Sequence, residues 1–203
     1  MSTIRSICIY CGSSPGRTAD YVETARAIGG EIAHHGLRLV YGGGTKGIMG
    51  AVAEGAIAAG GKITGIIPRF LMSKEATESA LGRLDDLVVT DDMHQRKHTM
   101  FELSDAFVAL PGGIGTLEEI VEIMTWAQLG RHRKPIVFAN VNGFWDPMLA
   151  LIDHMRAEGF VHTGHLVRPL VVDKAEAVVP AILEQAAETA APAGGVTDVI
   201  DKL

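Results

Sequence analysis

The stretch Ala106-Phe-Val-Ala-Leu110-Pro-Gly-Gly-Ile-Gly-Thr-Leu-Glu-Glu119 decides the reading of this chain. Its apolar start, Ala106–Leu110, is a buried strand that breaks at Pro111. Gly112, Gly113, Gly115 and Thr116 follow, and a helical pattern runs over Leu117–Leu129 and ends at Gly130. A strand, a glycine turn and a helix start together form an anion site. The glycines let backbone approach closely, and the free N–H groups of the first helical turn point at a phosphate. One turn into the helix stands Glu119. A binding loop has little use for that charge, whereas a reaction does.

Outward from this stretch, strand and helix alternate. Ser6–Tyr10, Leu37–Tyr41, Lys62–Ile67, Leu87–Val89, Pro135–Ala139 and Leu170–Val172 read as further strands. Ala19–His35, Gly47–Ala59, Met93–Leu103, Pro147–Glu158 and Lys174–Ala187 read as helices. The expected fold is α/β: a Rossmann-like, doubly wound parallel sheet covered on both faces, with ligands at the carboxyl ends of its strands. Pro68–Asp86 fits the alternation worst and is expected to cross the active-site edge as a loop with some helix. One domain over residues 1–187 and a loose Ala/Pro/Gly-rich tail over 188–203 complete the organisation.

The bulk properties agree with one core. The chain has 203 residues, 47% of them hydrophobic, with a formal net charge of −6. That excludes disorder and argues against a nucleic-acid or membrane binder. No apolar run approaches membrane-spanning length, and the start Met1-Ser-Thr-Ile-Arg5 lacks the parts of a signal peptide, so a cytoplasmic protein is expected. Cys8 and Cys11 are spaced C-x-x-C. Side chains three apart on a strand point to opposite faces, so a structural role is preferred over a redox or metal pair.

Two more glycine turns follow strands: Cys11-Gly-Ser-Ser-Pro-Gly16 and Tyr41-Gly-Gly-Gly-Thr-Lys-Gly47. Three such turns on one edge of a parallel sheet suit a nucleotide-sized pocket. Gly12 and Ser13, Gly43 and Gly44, and Gly112, Gly113, Ile114, Gly115 and Thr116 are the expected substrate contacts. None of the turns is a Walker loop or a dinucleotide fingerprint, so a redox dinucleotide enzyme is disfavoured.

A second constellation is Asp91-Asp-Met-His-Gln-Arg-Lys-His-Thr-Met-Phe-Glu-Leu103. Asp91 or Asp92 caps the helix. Met93, Met100 and Leu103 mark an apolar face that Arg96 interrupts. A cation there either pairs structurally or reaches into the pocket toward a phosphate or carboxylate. Met93, with Met49 and Phe70, is a candidate lining of the base pocket. His94 and His98 have metal-ligand spacing, but Gln95 stands where a zinc helix needs Glu, so no metal site is expected. Glu118 and Glu122 read as a solvated helix face.

Together these segments resemble the LONELY GUY family of cytokinin-activating phosphoribohydrolases, whose members are often labelled lysine decarboxylases. The family pattern P-G-G-x-G-T-x-x-E is met in full by Pro111–Glu119, and M-H-x-R-K by Met93–Lys97. Cys11-Gly-Ser-Ser14, Tyr41-Gly-Gly-Gly44, Phe70-Leu-Met72 and Thr125-Trp-Ala-Gln-Leu-Gly130 are similar to other family segments. The region after Glu75 departs from the plant pattern by a few extra residues. The resemblance implies a Rossmann-like fold, a homodimer with sites near its interface, and no cofactor. It implies hydrolysis of the N-glycosidic bond of AMP or N6-modified AMP to free base and ribose 5-phosphate. It also implies Arg96 and Glu119 as catalytic, and Glu75, Lys97, Gly113 to Thr116 and Thr125 as substrate-contacting. Two alternatives compete: a non-catalytic nucleotide or molybdenum-cofactor carrier, and a pyridoxal decarboxylase. For the second, neither Lys46 nor Lys97 has an evident ring-nitrogen partner.

Overall fold

A computed structural model describes residues 4–161 and 169–190. Among the described residues, seven strands form one sheet: β1 (Ser6–Tyr10), β2 (Arg38–Tyr41), β3 (Lys62–Pro68), β4 (Asp86–Thr90), β5 (Ala106–Ala109), β6 (Ile136–Ala139) and β7 (Leu170–Val172). Every pairing is parallel, in the order β4-β3-β2-β1-β5-β6-β7. The order reverses between β1 and β5, which is the switch point where such sheets open a crevice.

Among the described residues, eight α-helices flank the strands: α1 (Ala19–His34), α2 (Gly47–Ala58), α3 (Arg69–Glu75), α4 (Glu78–Leu81), α5 (Met93–Glu102), α6 (Ile114–Gln128), α7 (Asp146–Ala157) and α8 (Ala175–Ala190). Strand side chains alternate between two apolar clusters. Ile7, Ile9, Leu39, Tyr41, Ile63 and Val108 pack with α1, α2 and α8. Cys8, Tyr10, Val40, Ile66, Phe107 and Phe138 pack with α5 and α6. The doubly wound expectation holds.

The segment expected as loop with some helix supplies the last residue of β3, α3, α4 and the first residue of β4. Helix α6 begins three residues earlier than periodicity suggested, because glycines within its first turn carry no apolar signal. Helix α8 continues to Ala190, past the expected end of the domain at 187. The rest of the expected tail, 191–203, lies outside the described residues. Leu103 caps α5 and is exposed, so the apolar face of that helix stops at Met100. Cys8 and Cys11 are buried free thiols in opposite clusters. Burial pushes both thiols well above their usual range, which makes them inert.

Helices α1 and α2 cross at backbone contact. A Cβ built on Gly29 would lie 2.9 Å from the Ala56 nitrogen, and one on Gly55 would lie 2.8 Å from the Arg26 carbonyl carbon. Backbone cannot rotate aside as a side chain does. Gly55→Ala is therefore expected to destabilise the protein by about 1–3 kcal/mol, the usual range for overpacking. Urea denaturation checks this, with an unchanged m-value expected.

Candidate active site

The site is built where the turns after β1, β2 and β5 meet. Gly12 N–H donates to the Pro111 carbonyl at 3.1 Å, and a Cβ on Gly12 would stand 3.2 Å from the Gly112 Cα. The first and third turns therefore touch through backbone. The Met49 N–H, in the first turn of α2, donates to the Gly12 carbonyl at 3.2 Å. The second turn is braced from outside. Thr45 N–H donates to the Glu75 carbonyl at 2.8 Å, and the Lys46 ammonium donates to the Lys74 carbonyl at 3.2 Å.

These contacts enclose a cavity of about 310 Å³ lined by Gly12, Ser13, Glu75, Gly113 and Thr116 together with Arg96 and Glu119. Gly113 is the N-cap of α6, in extended conformation and without a side-chain cap. The first of the helix's own hydrogen bonds runs from Leu117 N–H to the Gly113 carbonyl at 3.0 Å. The N–H groups of Ile114, Gly115 and Thr116 precede that bond and face outward from the helix end, where its dipole is positive.

Arg96 and Glu119 face each other at 3.3 Å, their side chains only 6% and 7% exposed. Asp92 sets the start of α5 by accepting from Gln95 N–H at 2.8 Å, while the Gln95 side chain accepts from Asp91 N–H at 2.8 Å. The guanidinium is held by backbone. Nε donates to the Ile66 carbonyl at 3.2 Å and Nη2 to the Gly42 carbonyl at 3.5 Å. Burial raises the Glu119 carboxyl to about 7, the Arg96 charge opposing that shift. Glu118 and Glu75 push it up further, and Lys97 pulls it down. A carboxyl poised near neutrality suits proton transfer.

The structure gathers most of the expected site. Gly12, Ser13, Glu75, Met93, Arg96, Gly113, Gly115, Thr116 and Glu119 all line the cavity. Gly43, Gly44, Gly112, Ile114, Lys97 and Thr125 do not. Gly43 takes a positive φ of 73° and packs on Ile67, and Gly44 packs on Met49. Gly112 is the close approach beneath Thr116 and Gly12. Ile114 is 81% exposed, and Thr125 is exposed with its hydroxyl donating to the Val121 carbonyl. The Lys97 ammonium pairs with Glu118 and Glu122; Glu118 is exposed, as a solvated face implies, and Glu122 is half-buried. Phe70 is exposed, and its neighbour Leu71 lines the cavity with Met49. Cys11, Leu71 and Glu118 are lining residues that the sequence reading missed. Leu71 stands four before Glu75, one turn away on the same helix face, a signal that could have found it.

Fold and site together define a Rossmann-like α/β protein whose switch-point cavity joins a helix N-terminus to a buried acid–cation pair. Residues 49–182 match the family model described as "Possible lysine decarboxylase". The chain is 47% identical over 160 residues to the cytokinin riboside 5′-monophosphate phosphoribohydrolase LOG of Oryza sativa subsp. japonica, covering 79% of this chain and 65% of that one. It is 43% identical over 180 residues to the cytokinin riboside 5′-monophosphate phosphoribohydrolase of Rhodococcoides fascians, covering 89% and 90%. The chain belongs to this family of phosphoribohydrolases. Among solved structures, the Moco carrier protein of Chlamydomonas reinhardtii shares the fold, with a TM-score of 0.67, 20% identity and coverage of 92% and 99%. The molybdenum cofactor binding protein of Rippkaea orientalis does so with a TM-score of 0.66, 21% identity and coverage of 90% and 97%.

A Cβ on Gly42 would overlap Arg96 Nη2, so only glycine leaves the guanidinium room beside Glu119. Gly42→Ala is expected to shift the arginine, which can move, and to leave the fold intact. Turnover should fall about 10-fold or more, as expected when a charged group leaves its aligned position, with unchanged circular dichroism as the control.

Proposed function

We propose that this chain hydrolyses the N-glycosidic bond of adenosine-type nucleoside 5′-monophosphates, AMP or its N6-modified forms, to free base and ribose 5-phosphate. One observation carries the reading: a buried carboxylate, Glu119, opens onto the same cavity as the free N–H groups one turn earlier in its own helix. The phosphate sits at the start of α6 against Gly113, Gly115 and Thr116, which line the cavity. The distance from that turn to Glu119 is fixed by the helix at ~1.5 Å of rise per residue. Ribose C1′ is thereby held beside the carboxylate.

Breaking the C1′–N bond leaves its electron pair on the base and positive charge on the sugar. Ionised Glu119 stabilises that charge and takes a proton from the attacking water, whose oxygen forms the new bond to C1′; that proton passes on to the departing base, which leaves neutral and restores the carboxylate. Arg96 keeps Glu119 oriented and partly ionised despite burial. Met49, Leu71 and Met93 provide an apolar wall for the base.

Relatives at 43–47% identity bear phosphoribohydrolase names, whereas the carriers near 20% share the fold alone. Against a decarboxylase stands the position of the lysines. Lys46 is tied to the Lys74 carbonyl and Lys97 to two carboxylates, and neither lines the cavity.

The reading extends to a homodimer in the cytoplasm. Ile114, Leu117, Val121 and Thr125 form a stripe on α6, and Ile114 and Val121 are exposed apolar residues beside the site. A second copy packed there would bring Thr125 toward its partner's cavity, where the family resemblance assigns it a substrate contact. Among the described residues no helix is long and apolar enough to cross a membrane. Val121→Glu should yield monomers in analytical ultracentrifugation.

Glu119→Gln should lower turnover of AMP by roughly 10²–10⁴-fold, in the range for acid–base groups. Ribose 5-phosphate assay across AMP, N6-modified AMP and the corresponding nucleosides measures this, and nucleosides lacking phosphate should react poorly. Because the carboxyl is raised to about 7 and acts ionised, kcat should climb as pH rises through that value. A rate independent of Glu119 or of the phosphate would refute the proposal.

A further inference from the structure

Arg96 and Lys97 are consecutive on α5, and Glu118 and Glu119 are consecutive on α6. The two pairs meet as a zip. Arg96 faces Glu119, while the Lys97 ammonium lies 2.5 Å from Glu118 and 3.2 Å from Glu122. The Lys97 side chain is 12% exposed and lies against α6, where its ammonium reaches both the exposed Glu118 and the half-buried Glu122. Two of its three N–H bonds are thereby committed.

We infer that Lys97 is a positioning residue, clamped between Glu118 and Glu122 so that α5 stays docked on α6 with Arg96 opposite Glu119. This rests on the reading of Glu119 as the reacting carboxylate, and it differs from a substrate contact by Lys97. Its logic is electrostatic as well as geometric. Glu118 lines the cavity and stands next to Glu119 in the chain. With Lys97 absent, an unpaired Glu118 carboxylate competes for Arg96 and adds negative charge beside Glu119.

The charged and titratable groups around Glu119 are few. Helix α5 presents Arg96 and Lys97, α6 presents Glu118, and α3 presents Glu75. From β1 and its turn come Cys8, Tyr10 and Cys11, which burial holds in their neutral forms. Burial alone would lower the Lys97 ammonium's pKa, but Glu118 and Glu122 outweigh it and hold the group charged. Of the groups around Glu119, only Lys97 couples to Glu118 by direct contact.

The test is a carboxyl-carbon NMR titration of Glu119 in the full chain, run beside pH–rate profiles with AMP. Lys97→Met should move the Glu119 midpoint and the acidic limb of kcat upward by about one unit, a tenfold smaller ionised fraction below the midpoint. KM for AMP should change less than about threefold, as expected when substrate binding is untouched. Lys97→Arg should keep the midpoint of the parent protein. Glu118→Gln alone should move the midpoint down, and Lys97→Met with Glu118→Gln should return most of the upward shift. A large rise in KM with an unmoved midpoint would overturn the inference in favour of a substrate contact, as would a double variant no different from Lys97→Met. Should Lys97→Met fail to fold, the downward shift in Glu118→Gln and the behaviour of Lys97→Arg decide the matter. If AMP is not cleaved at all, the reaction proposal falls while the titration still tests the clamp.

Discussion

Everything in this molecule turns on keeping an arginine and a glutamate buried together at 3.3 Å without letting them neutralise each other's chemistry. Two charges removed from water are costly unless their remaining valences are met. Here backbone meets them. The Ile66 and Gly42 carbonyls hold the guanidinium from two different strand ends, so Arg96 belongs to the sheet as much as to its own helix. The carboxylate is left with one face toward its partner and one toward the cavity, at an acidity near neutral. A tighter or bidentate pair would drive that acidity down and leave a spectator.

The parallel sheet supplies the convergence this pair needs. Its order reverses between β1 and β5, and the turns after these two strands meet through backbone at the floor of the cavity. Glycine then lets backbone, rather than side chain, form the walls. Gly12 stands against Gly112 through backbone, and Gly42 beneath Arg96 is the most consequential of these approaches. One end of the cavity is set by the N-terminus of α6 and the other by Glu119 in its second turn. One rigid helix therefore carries both ends, and the spacing between them does not depend on loop conformation.

Much of this could be read from the sequence, and the parts that could not have physical causes. The strands were legible because a sheet buried on both faces writes continuous apolar runs such as Ala106–Leu110. Arg96 and Glu119 stood out because each breaks the expected chemistry of its surroundings, a cation in an apolar stripe and a carboxylate beside an anion site. The start of α6 at Ile114 was hidden, since Gly113 and Gly115 mark a turn and a helix N-terminus equally well. That Glu118 also pairs with Lys97 was hidden because the lysine is on another helix, and one sequence does not reveal a pairing across 21 positions. Leu71 was passed over for the larger Phe70, since size suggested burial and only the direction of the side chain decides it.

Helix α3 buries none of its residues, yet it contributes Leu71 and Glu75 to the cavity. It is retained through the Glu75 carbonyl on Thr45 and the Lys74 carbonyl on Lys46, bonds that use its main chain and ask nothing of its side-chain identity. The outer wall is thus free to drift in sequence while the floor built from glycine turns stays fixed, so the lining of one cavity can be rewritten through a single short helix.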